Sequence, residues 1–155
     1  MSNSRTAAYD SPVAPTETDS TAMGLITLIG RIFLTAVFFV SVPAHFGPVD
    51  LKYAVAAGVP FAKLVVPGAG LLMLAGALSV LLGYRAKLGA WILVLFLVPV
   101  TLVMHHFWKA SNPIMAQLQM GMFIRNVSIL GGVLIVSQVG AGPWSLDARR
   151  GSHRA

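Results

Sequence analysis

Three histidines and one arginine are the side chains of this sequence best placed to meet a ligand. His45 follows the first long apolar run, His105 and His106 follow the third, and Arg125 with Asn126 opens the fourth. Antiparallel threading of those runs would bring all of them to one outer rim, with Gln117 and Gln119 close by. An imidazole titrates near neutral pH and can donate to a carbonyl such as that of a quinone. A guanidinium offers five donors to an oxygen ligand. Phe46, Phe107 and Trp108 at the same level would form either an aromatic wall for a ligand or an interfacial belt. Two readings of the rim therefore stay open, a ligand site and a ring of plain interfacial anchors.

Other chemistries find less support. Adjacent helical residues point about 100° apart, so His105 and His106 cannot both face one ion from regular helix. Either could oppose His45 as an axial haem ligand, but no carboxylate or thiolate stands nearby to complete a zinc or iron site. No metal site is expected. The chain has no cysteine, so disulfides and thiol nucleophiles are excluded within it. No Ser, His and acid triad, paired carboxylates or phosphate-cradling glycine loop can be assembled. With no redox centre of its own, the chain is not expected to be an enzyme alone, and no intrinsic cofactor is expected.

These residues must be held by membrane helices. Of 155 residues, 56% are hydrophobic and 10% charged, against about a quarter charged in soluble domains. So small a chain cannot hide that much apolar surface from water, which makes lipid the expected solvent. Four apolar segments, at about 24–42, 61–83, 88–104 and 120–139, are each long enough to cross a core about 30 Å thick. The expected fold is all-α: an integral membrane antiparallel four-helix bundle. Residues 1–23, rich in Ser, Thr, Ala and Pro, read as a disordered cytoplasmic tail, and 142–155 as a basic cytoplasmic tail. The net charge of +6 is spread along the chain instead of being gathered into a nucleic-acid surface.

Counting basic residues orients the bundle. One face carries Arg5, Arg85, Lys87, Arg149, Arg150 and Arg154, and the other carries Lys52, Lys63 and Lys109. The excess puts both termini in the cytoplasm. Helix contacts are expected at the four-residue repeat Ala75, Ser79 and Gly83, and at Gly131 and Gly132.

Arg31 is the anomaly, a charge inside the uncharged run from Gly24 to Val42. None of the five carboxylates of the chain lies within an apolar run. Its partner could be Asp147 just beyond the fourth helix, lipid phosphate reached by snorkelling, or a ligand oxygen. Asp147 shares its face by topology and is the first choice, making Arg31 and Asp147 a structural polar pair.

From about Gly30 to Arg149 the chain resembles the DoxX-like family of small four-helix membrane proteins. The matching pieces are "GRIFLTAVFFVS", "AAGVP", "GALSVLLGYRAKLGAWIL", "HHFW", "RNVSILGG" and "SLDARR". The resemblance implies a multi-pass protein of the bacterial inner membrane, associated with quinone-linked oxidoreductases or redox defence. Distant eukaryotic relatives act in cargo handling or receptor assembly. His45 and Arg125 stand where that family usually has Lys, and Met73 stands where it commonly has Glu. Such a Glu would lie at a depth comparable to Arg31, so an Arg–Glu pair of that family would be absent here.

Two functions lead the expectations. One is an accessory subunit of a quinone-linked redox assembly, the rim of His45, His105, His106, Trp108, Arg125 and Asn126 holding a quinone headgroup or docking a membrane or periplasmic redox partner. The other is a non-catalytic scaffold or adaptor for partner proteins, contacting them through both tails. A small-solute or lipid transporter is a third.

Overall fold

The structure, a computed structural model, describes residues 17–152. Six helices follow one another: α1 (Glu17–His45), α2 (Pro48–Ala56), α3 (Ala62–Leu82), α4 (Ala86–Met104), α5 (Pro113–Val139) and α6 (Leu146–Ser152). A short 3₁₀ turn, Phe107–Lys109, lies between α4 and α5. Four of these helices, α1, α3, α4 and α5, are long and apolar enough to cross a membrane. The protein is a multi-pass membrane helical bundle.

Two helices run beyond the apolar segments. α1 reaches back to Glu17, so the expected tail 1–23 is helical from that residue, and residues 1–16 lie outside the described part. α5 begins at Pro113, where Asn112 caps it: the Asn112 side chain accepts from the Ile114 N–H at 2.8 Å. A proline at the first helical position costs nothing, because that N–H has no partner inside the helix. Local capping chemistry thus sets the start, seven residues before hydrophobicity would. In the expected C-terminal tail, residues 146–152 form α6.

α1 packs on α3, α3 on α4 and α4 on α5, while α1 and α5 barely touch. The core where they meet holds Phe38, Met73, Ala77, Val80, Leu93, Phe96, Leu97 and Val133. The tightest approach joins α3 to α4. A Cβ on Gly76 would lie 2.9 Å from the Leu93 side chain and 3.0 Å from the Gly89 carbonyl. The contact row is therefore Gly76 with Ser79, and Ala75 is exposed. On α5, Gly132 faces Leu34 of α1, whereas a Cβ on Gly131 would meet open space.

Both described chain ends lie at one end of the bundle, where Arg31 is 3% exposed. The α3 C-terminus shows why it is there. The Tyr84 N–H donates to Ser79 O at 3.0 Å and the Gly83 N–H to Val80 O at 3.2 Å, a Schellman pair with Gly83 at φ +64°. That motif leaves the Leu81 carbonyl unclaimed, and Arg31 Nη1 donates to it at 3.2 Å. Arg31 Nη2 donates to the carbonyl of Trp144, in the loop before α6. A cation is also favoured where the α3 dipole presents its negative end.

The expected Arg31–Asp147 pair takes a different form. No ion pair joins the two among the described residues. Asp147 spends its carboxylate on the start of α4, accepting from the Arg85 N–H at 2.8 Å and the Ala86 N–H at 3.0 Å. Its own N–H donates to Gly83 O at 2.8 Å. Charge matching suggested a bridge, but orphaned backbone groups at two helix ends claim both side chains first. Outside them, the Arg150 guanidinium sits 4.4 Å over the Tyr84 ring, and its hydrogen bond and charge hold the phenol pKa below its ordinary value.

Arg31→Met should strand two carbonyls and lower stability by about 1–3 kcal/mol per buried group left unpaired. Asp147→Ala should cost about 0.5–2 kcal/mol as a lost helix cap. Thermal unfolding in detergent, followed by tryptophan fluorescence, checks both; midpoints equal to wild type would refute this account of the closed end.

Candidate functional site

The opposite end of the bundle is open because α1 stops early. From Arg31 to His45 the helix climbs about 21 Å, whereas the 21 residues of α3 rise about 31 Å. The chain leaves α1 through two turns, Phe46 N–H to Pro43 O at 3.2 Å and Gly47 N–H to Ala44 O at 2.9 Å. Pro48 then starts α2, which folds over the gap and buries Ala54 beside Ala62 and Val66 of α3. Gly70 lets the end of α1 press close: a Cβ there would lie 2.8 Å from that of His45.

A cavity of about 740 Å³ fills the space between α1, α3, α4 and α5 under α2. Its wall is mainly apolar, with Val37, Phe38, Val66, Met73, Phe96, Leu97 and Val100 among the lining residues. Against that wall stand His45, Asp50, His105, Gln119, Arg125 and Asn126. Val139 to Arg125 is also about 21 Å along α5, so Arg125 lies level with His45 and about 10 Å below the open end of α3. The polar groups form a tier inside the open half of the bundle.

Of the residues expected at the rim, His45, His105, Arg125 and Asn126 line this cavity, while His106 and Trp108 do not. His106 Nδ1 donates to Val103 O at 2.6 Å, closing the end of α4. Trp108 stacks edge-on against Phe107 at 5.1 Å and Phe123 at 5.9 Å between ring centroids. Both belong to the turn that ties α4 to α5. The adjacent histidines do diverge, but both lie beyond Met104 in non-helical backbone, so the turn after α4 and not a helical step separates them.

Asp50 is the member that sequence reasoning missed. Its Oδ2 lies 3.4 Å from His45 Nδ1, which also donates to Ser41 O at 3.1 Å. The signal was available: Asp50 is the lone carboxylate between the first two apolar segments, five residues after His45. These bonds engage Nδ1 and leave Nε2 as the ring atom for a ligand.

Four other polar groups of the tier, His105 among them, make no side-chain hydrogen bond or ion pair among the described residues. Asn126 is 6% exposed and makes no hydrogen bond among the described residues. Gln119 Oε1 is buried without a partner. Arg125 is exposed on α5 and makes no ion pair among the described residues. Buried polar groups are normally satisfied, so unmet ones mark a place where a ligand or solvent completes the site. No group of three or more His, Asp or Glu that could hold a metal ion comes together among the described residues.

Met73 lies on the floor of this cavity, 1% exposed. It is about 14 Å along α3 from Leu82, at whose level Arg31 sits. The two are not at one depth, because α1 overruns the bundle at its other end.

Fold and cavity together define a multi-pass membrane bundle with a ligand-sized chamber near one end. The chain matches the SURF4 family model over residues 11–153 and belongs to the SURF4 family. This corrects the DoxX-like resemblance: short pieces in a plausible order suggested one family of small bundles, and a match along nearly the whole chain shows another. The association with quinone-linked oxidoreductases that the resemblance implied finds no support in this family match. The chain is 26% identical over 130 residues to the inner membrane protein YphA of Escherichia coli strain K12, covering 83% of this chain and 92% of that protein. It is 30% identical over 79 residues to the ER-derived vesicles protein ERV29 of Saccharomyces cerevisiae, covering 51% of this chain but 25% of that one. No solved structure matches.

Met73→Glu should therefore not rebuild a pair with Arg31. Its carboxylate would be placed among apolar side chains, and a clear fall in the unfolding midpoint is expected, while Met73→Leu should cost less than about 1.5 kcal/mol. An unchanged midpoint for the glutamate variant would mean that a cation reaches the cavity floor.

Proposed function

We propose that the protein is a non-catalytic membrane adaptor whose chamber binds one amphiphilic ligand and whose ends engage partner proteins. The observation that carries this reading is the 740 Å³ cavity, apolar along its wall and polar in one tier, with unpartnered Asn126 and Gln119 facing the space. Chambers of roughly 300–1,000 Å³ with a few convergent polar groups are the usual form of a small-molecule site. The polar groups are donors and acceptors spread around a ring; they include no nucleophile held by an oriented base. Binding and presentation need no more than this.

The relatives are compatible with an adaptor. YphA is named as an inner membrane protein and ERV29 as a protein of ER-derived vesicles. Membrane residence is common to both names. The basic cluster of Arg85, Lys87, Arg149 and Arg150 at the closed end favours a cytoplasmic position for that end, so the chamber would open toward the opposite leaflet of a bacterial inner membrane.

Purification of the full chain in mild detergent, with mass spectrometry of bound proteins and extracted small molecules, tests the proposal. Val100→Trp fills the chamber from α4, and Leu95→Trp places the same bulk on the lipid-facing side. Partner proteins and ligand should survive Leu95→Trp and fall at least several-fold with Val100→Trp. Retention of every partner by the filled variant would overturn the adaptor reading. Extracted quinone together with quinone-dependent electron transfer by a co-purified enzyme would establish the redox reading in its place.

A further inference from the structure

We infer that the ligand is an anionic phospholipid, admitted from the bilayer through a lateral opening between α1 and α5. This rests on the chamber reading above and names its substrate class. The opening follows from the packing. α1 and α5 meet near Leu34 and Gly132, and beyond that level they supply opposite lips of the cavity. Val40 on one lip is 82% exposed, and Leu118 and Met122 on the other are 54% and 42% exposed. Those lips lie on the lipid-facing surface of helices that cross the membrane, so the medium that meets the opening is acyl chain.

The occupant must have an apolar tail and a negative head, because charge and polarity are arranged in that order. Arg125 stands at the α5 lip, about 10 Å below the end of the bundle, exposed toward the opening and with no ion pair among the described residues. A guanidinium at that depth requires an anion or water, and a phosphate accepts from it in two places. Asn126 and Gln119 stand beside it, 6% exposed in one case and with a buried Oε1 in the other, and neither has a protein partner. A phosphoglycerol head answers all three, since phosphate oxygens accept and glycerol hydroxyls donate. Beneath them the wall runs apolar to Met73, a path for one acyl chain.

The test uses the full chain reconstituted in phosphatidylcholine vesicles doped with phosphatidylglycerol bearing a photoactivatable group at the acyl end. Crosslinks should map to Met73, Phe38 and Val66, and a matched phosphatidylcholine probe should label these sites at least ten-fold less. Arg125→Gln should lower phosphatidylglycerol labelling about ten-fold, equivalent to about 1.4 kcal/mol, without changing the phosphatidylcholine signal. Val40→Trp, at the opposite lip, should lower it while Arg125 stays in place. Inorganic phosphate at millimolar concentration should not compete; competition without chamber crosslinks would show a free-anion site and overturn the inference. Equal labelling by both lipids, or labels confined to outward residues such as Leu95, would overturn it too. If labelling fails while Val100→Trp still costs the partner proteins, the lipid assignment falls and the adaptor reading stands. If the chamber is labelled and no partner depends on it, the adaptor reading falls alone.

Discussion

One guanidinium holds the closed end of this bundle together, and the open end follows from where it is held. Arg31 donates to the Leu81 carbonyl left over by the α3 cap and to the Trp144 carbonyl of the loop before α6. It is 3% exposed and cannot leave that site without exposing two acceptors. The register of α1 against α3 is thereby set. Once Arg31 is pinned at the end of α3, the remainder of α1 is too short to reach the other end, and a chamber remains beneath α2.

The chamber and the cap answer the same physical demand in different ways. In lipid, every polar group must find a partner within the protein or at the membrane edge. At the closed end the demand is largely met internally: Schellman bonds, both Arg31 terminal nitrogens and the Asp147 cap use the donors and acceptors of two helix ends, and Arg31 Nε alone of that guanidinium is buried without a partner. At the open end the internal partners stop at His45 and Asp50, and Gln119, Asn126 and Arg125 are left facing space. The unmatched polar groups are thus more numerous at the open end than at the closed one.

The closed end and the α3–α4 seam provide a rigid frame, packed as closely as Gly76 and Gly89 allow. The weak α1–α5 seam is where the frame can admit something without breaking a hydrogen bond, since side-chain contact alone holds it. Binding at such a seam shifts an existing looseness and does not need a hinge.

Apolar length and small charge content determined, from the sequence alone, that the chain forms four membrane helices. Antiparallel threading determined that His45, His105, Arg125 and Asn126 share an end. Those inferences work because hydrophobic length and helical rise are local quantities. Helix starts were less legible, since Asn112 and Pro113 lengthen α5 by cap chemistry that a hydropathy window does not weigh. The partners of Arg31 were decided only by tertiary structure. Opposite charge pointed to Asp147, but which backbone carbonyl lacks a donor depends on how α3 ends and where the loop before α6 passes. The same is true of Met73: its distance from Arg31 follows from how far α1 slides along α3, a relation between two helices that neither one's sequence contains.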